Sequence, residues 1–306
     1  MSNTRLGLLA VLVILGVGWG LTQPLTKITV THGYQPLGLV FWQLAIGTVV
    51  LAALRWRQLR RIPVTRATVA VWVVIALLGT VIPNSASYRA AMHLPAGVMS
   101  IVISAVPILA FPIALALRTD HFSWRRMAGL LLGLCGVALI ALPESSLPDR
   151  AMVAFLPLAL IAPFCYALEG NIVARWGTAG LDPLQTLLGA SAIGTMIALP
   201  LALGSGQFIV PRAPFVLADL TMLLTSLIHV SVYTGYVWLI GRAGAVYAGQ
   251  VAYVVTGAGV VWAMILLGES YSLWVWAALV AICTGMTLVR PRLAAASPIS
   301  QDAAYG

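Results

Sequence analysis

Charge is what this chain has least of. Asp, Glu, Lys and Arg make up 8% of its 306 residues, against about 25% in an average soluble domain, so an ordinary water-facing surface is excluded. Cysteine is nearly as scarce. Cys135, Cys165 and Cys283 are far apart, lie inside apolar segments and show no CxxC spacing, which speaks against a disulfide framework and against a thiolate zinc site. There is no P-loop or other Gly-rich phosphate cradle, so ATP-driven chemistry by this chain alone is disfavoured. HExxH, a His/Asp pair at ligand spacing and a Ser/His/Asp constellation in a strand-turn-helix context are missing too, which disfavours an intramembrane enzyme. No cofactor and no metal are expected.

What is present is apolar sequence: 61% of residues are hydrophobic and the mean hydropathy is +0.99. Runs of about 17 to 25 apolar residues are the unit that spans a bilayer. Ten can be drawn, at 6–30, 36–54, 67–90, 95–117, 124–142, 152–174, 183–203, 214–240, 245–267 and 273–289. The start resembles a signal peptide, with Arg5 before an apolar run, but that run continues to Val30 without a small-x-small cleavage site and reads as a retained first span. The net charge of +9 comes from residues at segment ends, without an amphipathic stripe or an aromatic-interleaved patch, so nucleic acid is not an expected partner. With the N-terminus inside, only Lys27, Arg89, Arg150 and Arg212 of the 17 basic residues fall in outside loops. That asymmetry predicts both termini in the cytoplasm.

The two halves repeat. Pro36-Leu37 and Ala45-Ile46-Gly47-Thr48 recur 147 residues later as Pro183-Leu184 and Ala192-Ile193-Gly194-Thr195. Further on, Ser85 corresponds to Ser231, Asp120 to Glu269 and Gly136 to Gly285. Residues 1–146 and 147–306 therefore read as two repeats of five spans, the second with a short tail. Because five is odd, they enter the membrane in opposite orientations, and the expected fold class is an all-α integral membrane protein made of two inverted five-helix repeats. Such repeats place a site near the midplane where they meet.

Several short motifs recur in order: Trp19-Gly20 with Pro24 and Lys27; Pro36 followed by Gln43; Gly79-Thr80 through Tyr88 to Ala96-Gly97. In the second half they are Tyr233 through Ala243-Gly244 to Leu267-Gly268-Glu269, then Gly285. Together these resemble the ten-helix EamA-type members of the drug/metabolite transporter superfamily, over essentially Leu6 to Val289. The chain departs from that pattern at Thr119-Asp120, at Pro163 and Glu169 within span six, and at Asn84. The resemblance implies spans one to four and six to nine around a cavity, spans five and ten at the periphery, and export of small metabolites, amino acids first.

Inside the spans the unusual residues are the informative ones. Pro24 has no N–H to give and frees the carbonyl of Gly20 one turn back. Trp19 and Gln23, four apart, share the face of that disturbed turn. Pro83, Pro107 and Pro112 are the other expected hinge points. Glu169 sits roughly 22 Å down a core of about 30 Å, nearer the cytoplasmic face than the centre. It reads as a proton-coupling carboxylate, a partner for a substrate ammonium, a member of a local network with Asn171 and a snorkelling Arg175, or a gate at the inner mouth. His229 lies near the middle of span eight with Tyr233 on its face, and it either couples to protons or hydrogen-bonds a carbonyl or tyrosine between helices.

With Gln43, Asn84, Tyr88, Ser104, Tyr166, Gln250 and Tyr253, these side chains would line a mostly apolar cavity carrying amides and hydroxyls, which suits a small zwitterion or amphiphile. Lys27, Arg89 and His93 form an expected cationic ring at the outer mouth, or ordinary headgroup contacts. Trp56, Trp72, Trp124, Trp176, Trp274 and Trp276, near span ends, read as a belt. The expectation is a secondary carrier in the cell membrane exporting amino acids, including aromatic ones. Its partners are a small-molecule substrate, the bilayer and, under one reading, a proton; the oligomeric state is left open. Exporters of lipophilic cations or drugs, or of another metabolite such as a sugar or nucleotide derivative, and a scaffold or sensor without flux are the alternatives.

Overall fold

The computed structural model describes residues 3–57, 62–142, 145–211, 213–243 and 250–289. The start of the ninth predicted span, the tail from 290, and Arg60, Arg61, Arg212, Arg290 and Arg292 lie outside the described residues. Among the described residues twelve α-helices follow one another: α1 Asn3–Thr31, α2 Pro36–Leu54, α3 Arg66–Ala76, α4 Ile82–Ala91, α5 Ala96–Ile103, α6 Val106–Ala116, α7 Trp124–Ala141, α8 Leu156–Trp176, α9 Pro183–Gly204, α10 Leu217–Ala243, α11 Val251–Leu267 and α12 Leu273–Val289. No strand occurs among the described residues. Eight segments among the described residues are long and apolar enough to cross a membrane. The two C-terminal helices, α11 and α12, have 17 residues each, or about 26 Å of helix against a core of about 30 Å.

Boundaries follow local chemistry. Pro36 and Pro183 open α2 and α9 with a fixed φ and no N–H to leave orphaned. At α9 the Asp182 carboxylate accepts from Gln185 N at 2.9 Å while the Gln185 amide oxygen accepts from Asp182 N at 3.0 Å, a reciprocal cap. The α11 helix stops at Gly268, which adopts the left-handed φ of 64°. The eighth span starts at Leu217 and not at 214, because Asp219 turns back to accept from Val216 N at 3.0 Å and fixes the first turn there.

Spans three and four are each interrupted. Pro83 has no N–H to return to Gly79, and the five residues Leu77–Val81 open into a π-helix in which the Ile82 N–H reaches back to Leu77 O. Between α5 and α6, Ser104 N and Ala105 N bond only three residues back, to Ile101 and Val102, immediately before Pro107. Pro24 and Pro112 lie inside continuous helices.

The helices cross where glycine removes a side chain, the usual device where lipid offers no hydrophobic drive between helices. A methyl group at Gly20 would meet Gly259 N at 2.8 Å, so α1 and α11 touch backbone to backbone. In the α2–α9 pair Gly47 faces Ser191 while Gly194 faces Leu44, and the Thr48 and Thr195 hydroxyls lie 3.4 Å apart. In the α7–α12 pair Gly136 faces Ala278 and Ile282 while Gly285 faces Gly129 and Gly133. The α7–α12 pair flanks the bundle, resting otherwise on α5 and α6. The remaining helices enclose the centre, with α1 against α10 and α11, α2 against α9 and α10, and α8 against α4 to α6.

Candidate functional site

Four of the predicted residues are joined in one hydrogen-bonded chain. The Tyr166 hydroxyl on α8 donates to Asn84 Oδ1 at 2.8 Å, and Asn84 Nδ2 on α4 donates to Gln43 Oε1 on α2 at 2.9 Å. The Tyr88 hydroxyl donates to the same Gln43 oxygen. Gln43, Asn84 and Tyr88 are buried, and each polar group in so dry a place needs a partner to offset its desolvation. Asn84 and Tyr88 are four apart on α4, which aims both at Gln43.

A second group is aromatic. Trp19 of α1 meets His229, Tyr233 and Tyr236 of α10 edge to face, with centroids 6.0, 6.2 and 5.9 Å apart. His229 and Tyr233 are tilted at 6.3 Å. Tyr236 was not among the sequence candidates; its spacing of three from Tyr233 put it on the same face, and that was the available signal. His229 makes no hydrogen bond among the described residues, so neither a carbonyl nor a tyrosine holds it as expected.

Glu169 interacts electrostatically with both groups, through Tyr166 and Tyr233. Its carboxylate lies against the π-segment of span three: a methyl group at Gly79 would sit 2.8 Å from Oε2 and 3.0 Å from Oε1. The expected network with Asn171 and Arg175 is not formed. Asn171 Nδ2 donates instead to Ala110 O at 3.1 Å and Ala167 O at 2.8 Å, and Arg175 is exposed. The reason is helical geometry, since a residue two positions on points away. Glu169 therefore has no cationic partner among the described residues.

Other expected members sit elsewhere. Ser104 donates to Ile101 O at 2.6 Å and serves the α5–α6 break. Tyr253 packs on the large apolar core that includes Val98, Val102 and Val260. Gln250 stands just before α11, half-buried, its carbonyl accepting from Tyr253 N. Gln23 is half-buried on the Trp19 side of α1, with no hydrogen-bond partner among the described residues.

The cationic ring does not form. Lys27 Nζ donates to the carbonyls of Ala91 at 2.7 Å, Met92 at 3.4 Å and Leu94 at 3.0 Å, capping the C-terminal end of α4. His93 stacks on Phe155 at 3.7 Å, and Arg89 is exposed. Opposite Lys27, the Glu269 carboxylate accepts from Ala96 N at 2.8 Å and Gly97 N at 3.2 Å, capping the start of α5. Tyr271 donates to Glu269 at 2.5 Å; burial and that carboxylate push its hydroxyl pKa up. Trp72 is not a belt residue, being 6% exposed and packed on Gly189 of α9. Arg126, in the first turn of α7, is 5% exposed, pairs with Asp120 and lies over Phe111 at 5.6 Å.

The space at the polar chain is a cavity of about 10 Å³ beside Gln43 and Tyr88, room for about one water. A larger apolar space of about 330 Å³ opens between α6, α7 and α8, beside Leu134 and Phe164, and contains none of the expected site residues.

The model of the EamA-like transporter family matches residues 5–142 and again residues 154–290. An uncharacterized transporter, YvbV of Bacillus subtilis (strain 168), is 26% identical over 316 residues, covering 99% of each chain. A solved crystal structure, 15% identical, covers 90% of this chain and 94% of its own with a TM-score of 0.57. At that identity the likeness speaks for the fold alone.

Proposed function

We propose, from the premise that this chain belongs to the EamA-like transporter family, that it is a secondary carrier exporting small amino compounds, amino acids first, across the cell membrane by alternating access. The observation that carries this reading is the central site. A carboxylate without a cationic partner among the described residues, Glu169, lies against Gly79 and interacts with one member each of a polar chain (Gln43, Asn84, Tyr88, Tyr166) and an aromatic group (Trp19, His229, Tyr233, Tyr236). A substrate ammonium would take the carboxylate and lie on aromatic faces. Amides and hydroxyls would hold its polar remainder.

The reciprocal contacts favour two inverted repeats, 1–146 and 147–306, on one pseudo-twofold axis. Gly47 meets Ser191 as Gly194 meets Leu44, and Gly136 meets Ile282 as Gly285 meets Gly133; this is the self-complementary pattern of a twofold. Ten spans with both termini in the cytoplasm complete the arrangement, α11 and α12 being the two short ones. The space beside Gln43 and Tyr88 holds about one water, so passage of a solute there requires the helices to part.

Counterflow and gradient-driven uptake in liposomes, for a panel of amino acids and for lipophilic cations, test this. Saturable amino-acid flux supports the reading; none under either pH gradient removes it. Export of lipophilic cations is a second reading, favoured because Glu169 has no cationic neighbour among the described residues to balance a substrate carboxylate. A cation that outcompetes amino acids would establish it, and no flux of any solute would leave a scaffold or sensor. Under proton coupling, Glu169→Gln or His229→Ala keeps counterflow and loses gradient-driven transport. If both variants keep the latter, neither residue is the coupling group.

A further inference from the structure

The end of the bundle that carries the α1–α2 and α4–α5 turns is closed along two seams of unequal strength. At the first, α1 and the residues after α11 are pinned to the α4–α5 turn by the bonds of Lys27 and Glu269. These are charge-assisted and roughly twice as strong as neutral bonds. The second has one bond of that kind, near the rim, where Tyr34 of the α1–α2 turn donates to Asp219 of α10 at 2.6 Å, beside a neutral Thr29–Thr221 hydroxyl pair at 2.8 Å between α1 and α10, so the seams differ in the number of charge-assisted bonds.

This second seam is also where the packing is incomplete. The small cavity lies on it, lined by Thr26 and Thr29 of α1, Gln43 of α2, Tyr88 of α4, and Thr225 and Ser226 of α10. Thr225 Oγ1 is buried there with no hydrogen-bond partner among the described residues. An unpaired buried hydroxyl is costly unless a water or ligand answers it.

We propose that the α1–α2–α10 seam is the outer mouth of the carrier: a lane of hydroxyls leading from Gln43 and Tyr88 past Thr225, bolted by the Thr29–Thr221 and Tyr34–Asp219 pairs, which opens while the seam held by Lys27 and Glu269 stays shut. The inference rests on the carrier reading and adds which interface parts. Its chemistry is that of a wet, uncharged passage ending at one carboxylate, Asp219, and it would pass a small ammonium-bearing or neutral polar solute more readily than an anion.

Single cysteines decide the matter in the full chain with Cys135, Cys165 and Cys283 replaced. Intact cells are treated with a charged, membrane-impermeant methanethiosulfonate. The expected result is that Thr225→Cys labels from outside, and faster by about tenfold when Thr29→Val and Tyr34→Phe remove the two bolts. Ser226→Cys reads the same lane if Thr225→Cys is not recovered in the membrane, and the lipid-facing Leu220→Cys gives the background rate. A Thr225→Cys rate indifferent to the bolts overturns the proposal, as does labelling at Leu94→Cys on the α4–α5 turn in its place. Solute flux measured on the same cells separates the two levels. Flux without labelling overturns the lane and keeps the carrier, whereas labelling without flux keeps the opening and overturns the carrier.

Discussion

Gly79 and Glu169 occupy the same space from two helices: the carboxylate fills the position a side chain at residue 79 would take, 2.8 Å from where its Cβ would lie. The atom displaced by a methyl group is the far end of a flexible side chain, so Gly79→Ala is expected to fold. It should push the carboxylate out of its seat and lower transport at least as far as Glu169→Gln does. Monodispersity with uptake in liposomes checks it; an alanine variant with unchanged uptake would show that the contact is packing only.

Tyr166→Phe removes the donor to Asn84 Oδ1 and leaves a buried amide oxygen unanswered, at a cost of about 1 to 3 kcal/mol. The expected outcome is a lower melting temperature together with a raised KM. Asn84→Ala should do more, since Gln43 then loses its amide donor while Tyr166 loses its acceptor. A Tyr166→Phe protein with wild-type stability and affinity would mean that the chain of bonds is incidental.

Lys27→Met strips the donors from three carbonyls at the end of α4. Bonds to a charged group contribute about 1.5 to 3 kcal/mol each, so thermal stability in detergent should fall clearly while KM stays near wild type. A selective loss of affinity for anionic solutes would instead restore the outer-mouth role that the sequence suggested.

Burial and the Asp219 carboxylate beside it push the Tyr34 hydroxyl up to about 12, from about 10 in an unfolded chain. The folded protein thus holds that proton more tightly. The stabilisation is complete below about pH 10 and is lost as pH climbs towards 12. Thermal melts of wild type and Tyr34→Phe should differ below pH 10 and converge across that window; curves that stay parallel to pH 12 would show that the hydroxyl contributes nothing.

Polar residues in lipid-length runs are conspicuous, and that is why Gln43, Asn84, Tyr88 and Tyr166 could be read as a group before their bonds were known. Pro83 likewise announced a break, although not that it would take the form of a π-turn. Roles that depend on a distant partner were hidden. Trp72 looks like a belt residue until Gly189 is found beneath it, and Lys27 looks like an anchor until the α4 carbonyls reach it. Glu269 could be seen only as a motif, since the groups it caps are the backbone N–H of Ala96 and Gly97, which carry no sequence signature. The hydroxyls of Thr29, Thr221 and Thr225 carry no signal in the sequence, because threonine in a membrane helix ordinarily bonds its own preceding turn. Thr29 and Thr221 do so here while also touching each other.

The π-turn at Leu77–Val81 changes what span three is as a mechanical object. One extra residue in a turn rotates everything beyond it by about 100° relative to an unbroken helix, so α3 and α4 are aimed independently. The α4 half carries Asn84 and Tyr88 and is capped by Lys27, while the α3 half packs Trp72 on α9. A register change confined to those five residues would swing the two site residues, with the rest of α4, around the helix axis while leaving α3 seated on α9.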